Sequence, residues 1–312
     1  LHHDARRQRQ MCIRDSMDDA LISIFNRENE VELFGAKGEY LKAVVGKSRE
    51  IYEATGGVFD PTIFPLVDFW GFYKDKDISD LDVNLDVIDS LLYYVDFDAV
   101  SIETKQEPPT TAPDGTKEFG LRTEQLVKSK PGVKLDFNAI AKGYGVDVIG
   151  RYLEKNGIEN YIVEIGGEVR ARGKNAKGNH WTAGIFRPQA DVYELAMTVE
   201  LKDMSLATSG NYRRFVIIDG VKHGHTINPR TGLAELTDLL SVSVFGKNCV
   251  DADAYATAFM VMGLEMSMEF LNANKALEAI LIFENAEGEL RFEATDGIKE
   301  QVLSSDIVYH VN

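Results

Sequence analysis

From Val133 onward, short apolar stretches of strand length alternate with glycine-bearing turns, and few stretches carry a helical period. VKLDF (133–137), YIVEIG, EVRARG, WTAGIF, LAMTVEL and LLSVSVF read as strands, and RRFVIIDGVKHGHTI reads as a hairpin about Asp219-Gly220. Between them Asn138 can cap a helix running to about Lys155, with Gly157 as its stop. Val250 to Met262 reads as a second helix with Gly263 past its end. A further helix, two strands joined at NAEGE and a short tail finish the chain. Strands outnumber helices here and several adjoin in hairpins. The pattern therefore predicts an α+β fold of mainly antiparallel or mixed sheet flanked by helices, not a doubly wound parallel sheet.

The first half is more helical. Residues 20–55 carry Leu41, Val44, Val45 and Ile51 at helical spacing before Thr55-Gly56-Gly57 stops the pattern. GGVFDPTIFPLVDFWGF, broken by Pro61 and Pro65, reads as a folded connector. Asn84 to Tyr94 fits a short helix and Phe97 to Glu103 a strand, and the polar segment 106–118 fits a surface loop. LHHDARRQRQMCIRDS (1–16) has no periodic pattern, is expected to be non-native and disordered, and is set apart from one domain over 17–312. That domain divides into lobes of roughly 17–130 and 131–312.

With 44% hydrophobic residues in 312, a sizeable core is available. The formal net charge of −16 argues against nucleic acid as a partner, and means that any phosphate ligand needs local compensation from a metal or a lysine. Cys12 and Cys249 alone cannot build a disulfide framework or a zinc site. No apolar run approaches the roughly 20 residues of a membrane span.

Three local patterns mislead. AVVGKS lacks the upstream glycine of a P-loop, and GYGVDV has Val148 in place of the third glycine of a dinucleotide fingerprint. His223 and His225 flank one glycine without a third ligand nearby.

Four clusters combine glycine, small hydroxyl residues and isolated charge. In DADAYAT, Asp253 and Thr257 sit four apart on one helix face as hard oxygen donors suited to Mg²⁺. The alternative is that Asp251 or Asp253 caps the helix while Thr257 bonds back into its own turn. In DFNAIAKGY, Asp136 closes a strand and Lys142 lies in the first turns of a helix, whose free N–H groups favour phosphate; Asp136 and Asn138 serve equally well as caps. ATSG (207–210) offers Thr208, Ser209 and Gly210 to polar ligand groups, or is a strand-ending turn. In HTINPRTG, His225 is a candidate acid or base, and Arg230 is read as fixing the turn. ATSG and HTINPRTG, close in sequence, make one cluster together, and GGVFDPT (56–62) is the remaining one.

GGVFDPT, DFNAIAKGY, IGGE, ATSG, HTINPRTG and DADAYATAFMVMG stand in the order found in the ApbE-like FAD:protein FMN transferases, which this chain resembles from about Gly56 to Gly263. The resemblance implies an FAD cleft between the lobes. It implies Mg²⁺ on the Ala139 carbonyl, Asp253 and Thr257, and FAD contacts at Val58, Phe59, Asp60, Asp136, Lys142 and Ile227; His225, beside Ile227, is read as the base or as a flavin contact. Gly166, Gly167, Thr208, Ser209 and Gly210 line the same cleft. The resemblance further implies that FMN passes from FAD to a threonine hydroxyl of an acceptor, a respiratory or redox-type flavoprotein subunit, with release of AMP. FAD hydrolysis by water and FAD binding without turnover are the alternatives. The sequence departs from the family at Val58, Phe137, Asn138 and Asn228, and the flavin-contacting segment ahead of the first helix is expected to be missing or replaced. By resemblance the location is extracytoplasmic, at the bacterial inner membrane through an anchor outside this chain.

Overall fold

The expected α+β class is what the computed structural model holds, over residues 18–72, 83–106, 110–111, 117–118, 120, 122–189, 194–212, 215–218, 221–234 and 236–310. Segment 1–16 lies outside them. Helix α1 (Leu21–Arg27), the short strand β1 (Glu30–Glu32) and helix α2 (Gly35–Ala54) come first. Leu41, Val44, Val45 and Ile51 are buried along α2, as their spacing requires. Thr55 closes the helix: its Oγ1 donates to Ile51 O at 2.7 Å and accepts from Phe59 N at 3.2 Å. Gly56 and Gly57 then turn the chain with φ of +59° and +85°.

The aromatic connector folds into a 3₁₀ turn (Pro61–Ile63) and helix α3 (Phe64–Phe69). Asn84 caps helix α4 (Leu85–Leu92) by accepting from Asp86 N. The expected strand at Phe97 starts later. Asp96 Oδ1 accepts from Ala99 N at 3.2 Å and winds Phe97–Ala99 into a 3₁₀ turn, so β2 runs Val100–Gln106. Within 106–118, β3 (Thr110–Thr111) and β4 (Lys117–Glu118) pair with each other, and residues 107–109 and 112–116 lie outside the described part. Strand β5 (Arg122–Lys128) pairs antiparallel with both β1 and β2.

VKLDF is not a strand. Among the described residues it joins no sheet. Asn26 takes both backbone groups of Leu135, at 2.7 and 2.8 Å, and Asp136 N donates to Pro61 O at 2.7 Å. Helix α5 (Ala141–Lys155) has Ile140, not Asn138, at its cap position. Asn138 N is held by Asp136 Oδ1 at 2.7 Å instead. The helix ends as expected at Gly157 (φ +76°), where Gly157 N and Ile158 N turn back to Glu154 O and Leu153 O.

Strands β6 (Tyr161–Ile165) and β7 (Glu168–Arg172) form a hairpin over Gly166-Gly167, followed by β8 (Trp181–Phe186), β9 (Leu195–Leu201) and β10 (Ser205–Gly210). β11 (Phe215–Ile218) pairs with β12 (Val221–Gly224) as the expected hairpin, its turn residues 219–220 lying outside the described set. Then come β13 (Leu239–Gly246), helix α6 (Cys249–Ala273), β14 (Glu278–Glu284), β15 (Leu290–Ala294), helix α7 (Asp296–Lys299), β16 (Val302–Ser305) and β17 (Val308–Tyr309). Gly263, where the sequence ends the helix, breaks α6 with φ +78°, and Asp238 Oδ1 starts the continuation by accepting from Leu264 N at 3.1 Å.

The main sheet has the order β17-β15-β14-β13-β10-β7-β6, antiparallel except at β15–β17. Period-two alternation along β14 sorts its two faces. Ala279, Leu281 and Phe283 pack with Phe259 and Met260 of α6, whereas Ile280 and Ile282 pack with Met197 and Val199 of the β16-β9-β8 sheet. A third core joins Leu41, Phe59, Phe97 and Leu126 to Val250, Ala254 and Ala258 of α6. The stretches read as two lobes therefore share a core.

Candidate active site

The crossing of α5 and α6 organises the site. Asp147 of α5 is fully buried, and its Oδ1 and Oδ2 accept from Cys249 N and Val250 N at 3.1 and 2.9 Å. It therefore caps α6 from outside that helix. Neither Asp251 nor Asp253 does so. Asp251 accepts from Asn248 Nδ2 and pairs with Lys47 at 3.2 Å. Gly143 makes the close approach possible, since a Cβ there would lie 2.3 Å from Cys249 O and 2.7 Å from Asp253 Cβ.

Asp253, 2% exposed, accepts from Gly143 N on Oδ2 at 2.8 Å. A regular helix would send that N–H to the carbonyl four residues back, at Ala139. Among the described residues no backbone N–H donates to the Ala139 carbonyl. Thr257, one turn along α6, sets Oγ1 3.2 Å from Ser209 Oγ of β10 rather than bonding back into its own helix. ATSG accordingly belongs to a strand and is no turn. Thr208 bonds sideways to Ser243 at 2.8 Å while Ser209 faces α6.

Lys142 Nζ sits between two buried carboxylates, 3.2 Å from Asp253 Oδ1 and 3.1 Å from Glu168 Oε1. Burial works against its charge, but Asp253 and then Glu168 outweigh that and hold the ammonium above the ordinary lysine value. Burial pushes Glu168 up to about 7; Lys142 opposes the shift and the Asp253 charge adds to it. Gly166 lies beside this group, with its missing Cβ 3.6 Å from Lys142 Cδ, and Gly167 N donates to Glu164 Oε1 at 2.9 Å.

The GGVFDPT cluster meets DFNAIAKGY through the Asp136 N to Pro61 O bond. Asp60 is a cap there: Oδ1 accepts from Thr62 N and Thr62 Oγ1 at 2.7 and 2.5 Å. Burial raises its carboxyl and the Thr62 bonds oppose the rise. Val58 and Phe59 turn buried side chains inward, which leaves their backbone as the part able to meet a ligand. Arg230 reaches beyond its own turn, which Asn228 holds, and donates to Gly56 O at 2.8 Å. Ile227 packs with Leu66 and Trp70. His223 and His225 lie against Trp70 and Phe72, at 5.1 and 6.3 Å between ring centroids. Thr226 Oγ1 donates to Asn211 Oδ1 at 2.8 Å, tying the histidine loop to the residue after Gly210.

Lys142, Gly166, Ser209, Asp253 and Thr257 thus converge, Asp136 joins Asp60–Thr62, and His225 with Ile227 is linked through Asn211. Sequence reasoning missed Asp147 and Asn211, and gave no role to Gly143 and Glu168, which lie within DFNAIAKGY and IGGE. Only Glu168 carried a signal, as the acid that closes the Gly-Gly turn. Among the described residues no three His, Cys, Asp or Glu side chains cluster as a metal site. The Asp253 carboxylate, the Thr257 hydroxyl and the Ala139 carbonyl are hard oxygen donors, of the kind that suits a cation completing its shell with water and phosphate. Surface depressions of about 430 Å³, at Tyr93, Asp96 and Lys130, and about 310 Å³, at Phe34, Arg122 and Glu124, hold none of these side chains.

The ApbE family model matches residues 6–281. The FAD:protein FMN transferase of Vibrio cholerae is 33% identical over 289 residues, covering 92% of this chain and 77% of that protein. That of Treponema pallidum is 29% identical over 308 residues, covering 96% and 79%. The solved flavin transferase ApbE from Vibrio cholerae superposes with a TM-score of 0.78 at 30% identity, covering 96% of this chain and 89% of that one. The apo flavinyl transferase ApbE of Pseudomonas stutzeri, at 24% identity and a TM-score of 0.77 over 97% and 88%, shares the fold.

Proposed function

This chain belongs to the ApbE family, and we propose that it moves the FMN half of FAD onto a threonine hydroxyl of an acceptor protein, releasing AMP, with Mg²⁺ held by the Ala139 carbonyl, Asp253 and Thr257. The observation that carries the reading is the diversion of the Gly143 N–H to the buried Asp253 carboxylate, which leaves the Ala139 carbonyl without a backbone donor among the described residues. When bound, Mg²⁺ supplies Lewis-acid charge to the phosphate oxygens. Lys142 brings a second positive charge to the same place, the compensation that a protein of net charge −16 needs for an anionic substrate. Ala141 N, Gly143 N and Tyr144 N are taken by Phe137 O, Asp253 Oδ2 and Ile140 O, so the start of α5 offers a diphosphate its positive dipole end and the Lys142 side chain. Asp60 and Asp136 fix the loops that frame the flavin side, and Ser209 orients Thr257.

The acceptor oxygen attacks the FMN phosphorus, the bond from that phosphorus to the bridging oxygen breaks, and AMP leaves with that oxygen. His225 takes the hydroxyl proton. The rate gain comes chiefly from positioning and charge stabilisation. A His225→Asn variant is therefore expected to lose the acidic limb of the pH–rate profile in the imidazole range. An unchanged profile with an acceptor peptide removes the base role.

The reading as a whole is tested by mass spectrometry of a threonine-bearing acceptor incubated with FAD, Mg²⁺ and this protein. The expected result is a gain of one FMN on the acceptor. Free FMN with an unlabelled acceptor would make the chain a hydrolase, and intact bound FAD would make it a binding protein. The location we propose, the outer face of a bacterial inner membrane, rests on family habit; among the described residues no helix is long and apolar enough to cross a membrane.

A further inference from the structure

Lys142 is where the site's own charges conflict. Its ammonium bonds Asp253 Oδ1, an oxygen that a cation at Asp253 requires, so lysine and metal compete for one carboxylate. The competition has a built-in outlet. Glu168, on β7 and only 3% exposed, reaches the same Nζ at 3.1 Å through Oε1. Its other oxygen, Oε2, is buried and has no hydrogen-bond partner among the described residues. A buried acceptor without a donor is costly, and few native groups are left that way. Here the free oxygen stands next to a cation already shared with its twin. Two buried carboxylates also share one ammonium, which leaves the pocket short of positive charge until another cation arrives.

We propose that Glu168 is the positioning residue for Lys142: it receives the ammonium on both oxygens when Asp253 turns to the metal, and so sets both the affinity of the cation and the place of the lysine charge. The proposal rests on the metal reading of Asp253 given above. It assigns Glu168 no contact with the reacting phosphorus. Without Glu168, Asp253 becomes the sole carboxylate partner of Lys142, and a metal must displace the lysine outright.

The test is a double-mutant cycle on the full chain with FAD present. Mn²⁺ serves as the probe, and binding is read from the loss of the free-ion electron paramagnetic resonance signal. Glu168→Gln keeps the shape of the buried side chain and is expected to weaken Mn²⁺ about tenfold or more, within the range of ordinary site-to-site couplings. Part of that loss is simple charge removal, which persists whatever stands at position 142. In a Lys142→Met background the competition is gone, and the same substitution is expected to weaken Mn²⁺ by only about threefold or less, the difference being the coupling. Lys142→Gln repeats the background should the methionine variant fold poorly. An equal loss in both backgrounds overturns the proposal. Asp253→Asn separates the two readings. If it binds Mn²⁺ as the parent does, the metal reading itself fails. If it loses Mn²⁺ while the cycle is additive, only the role of Glu168 falls.

Discussion

Asp253→Asn should lower FMN transfer by about three powers of ten or more, because it removes the one carboxylate from a site whose cation is worth several kcal/mol of charge stabilisation. The substitution is chosen for what it keeps. The asparagine Oδ1 can still accept the Gly143 N–H that joins α5 to α6, now a 2.8 Å bond to the Asp253 carboxylate, so the crossing retains its contact. Lys142 keeps Glu168 as a partner. The melting transition should therefore stay near that of the parent while activity disappears at every Mg²⁺ concentration. Asp253→Ala abolishes transfer as well, but it strands the Gly143 N–H in a buried place and should cost about 1–3 kcal/mol of stability besides. The comparison splits ligand from strut. Transfer by Asp253→Asn that matched the parent at saturating Mg²⁺ would remove the metal from this position.

The parts of the fold and site legible in the sequence are those set by local chemistry. The period-two runs became strands, Gly166-Gly167 became a hairpin turn, and Gly157 ended its helix, since each depends on residues within a turn of itself. The four-residue spacing of Asp253 and Thr257 could be read for the same reason. Distant partners overrode local pattern elsewhere. VKLDF has the composition of a strand, yet Asn26, remote in sequence, takes the backbone pair a neighbouring strand would need. Asn138 has the chemistry of a cap but lends its N–H to Asp136. Glu168 looks like any acid after a turn until Lys142 arrives from another element. No window of sequence encodes which distant group a polar side chain will choose.

Asp147→Ala should produce the largest loss of stability of any single change at this site, about 3–5 kcal/mol, the range for stranding one partner of a buried ion pair. Helix α6 has no cap of its own, since the Asn248 side chain at the cap position bonds Asp251 and accepts from none of the helix's backbone N–H groups. Asp147 supplies the missing acceptors to Cys249 N and Val250 N and also holds Arg170 NH1 at 2.6 Å. Its removal leaves two buried donors unpaired and, among the described residues, a guanidinium with only Glu154 and Tyr161 as partners. The urea midpoint should fall with the slope unchanged, as for a loss of stability without a change of compactness. A second readout reports where the loss begins. Cys249 is fully buried, and burial with the Asp147 charge beside it raises its thiol well above the ordinary value, so it resists alkylation. In a Cys12→Ser background, labelling of Cys249 should speed up in Asp147→Ala under conditions where the protein is still folded, because the first turn of α6 frays when its donors lose their acceptors. That first turn also sets where Asp253 stands against Gly143, so cation affinity should weaken in step with the labelling rate. A variant with the parental urea midpoint and an unreactive Cys249 would mean that α6 begins where it does for some reason other than Asp147.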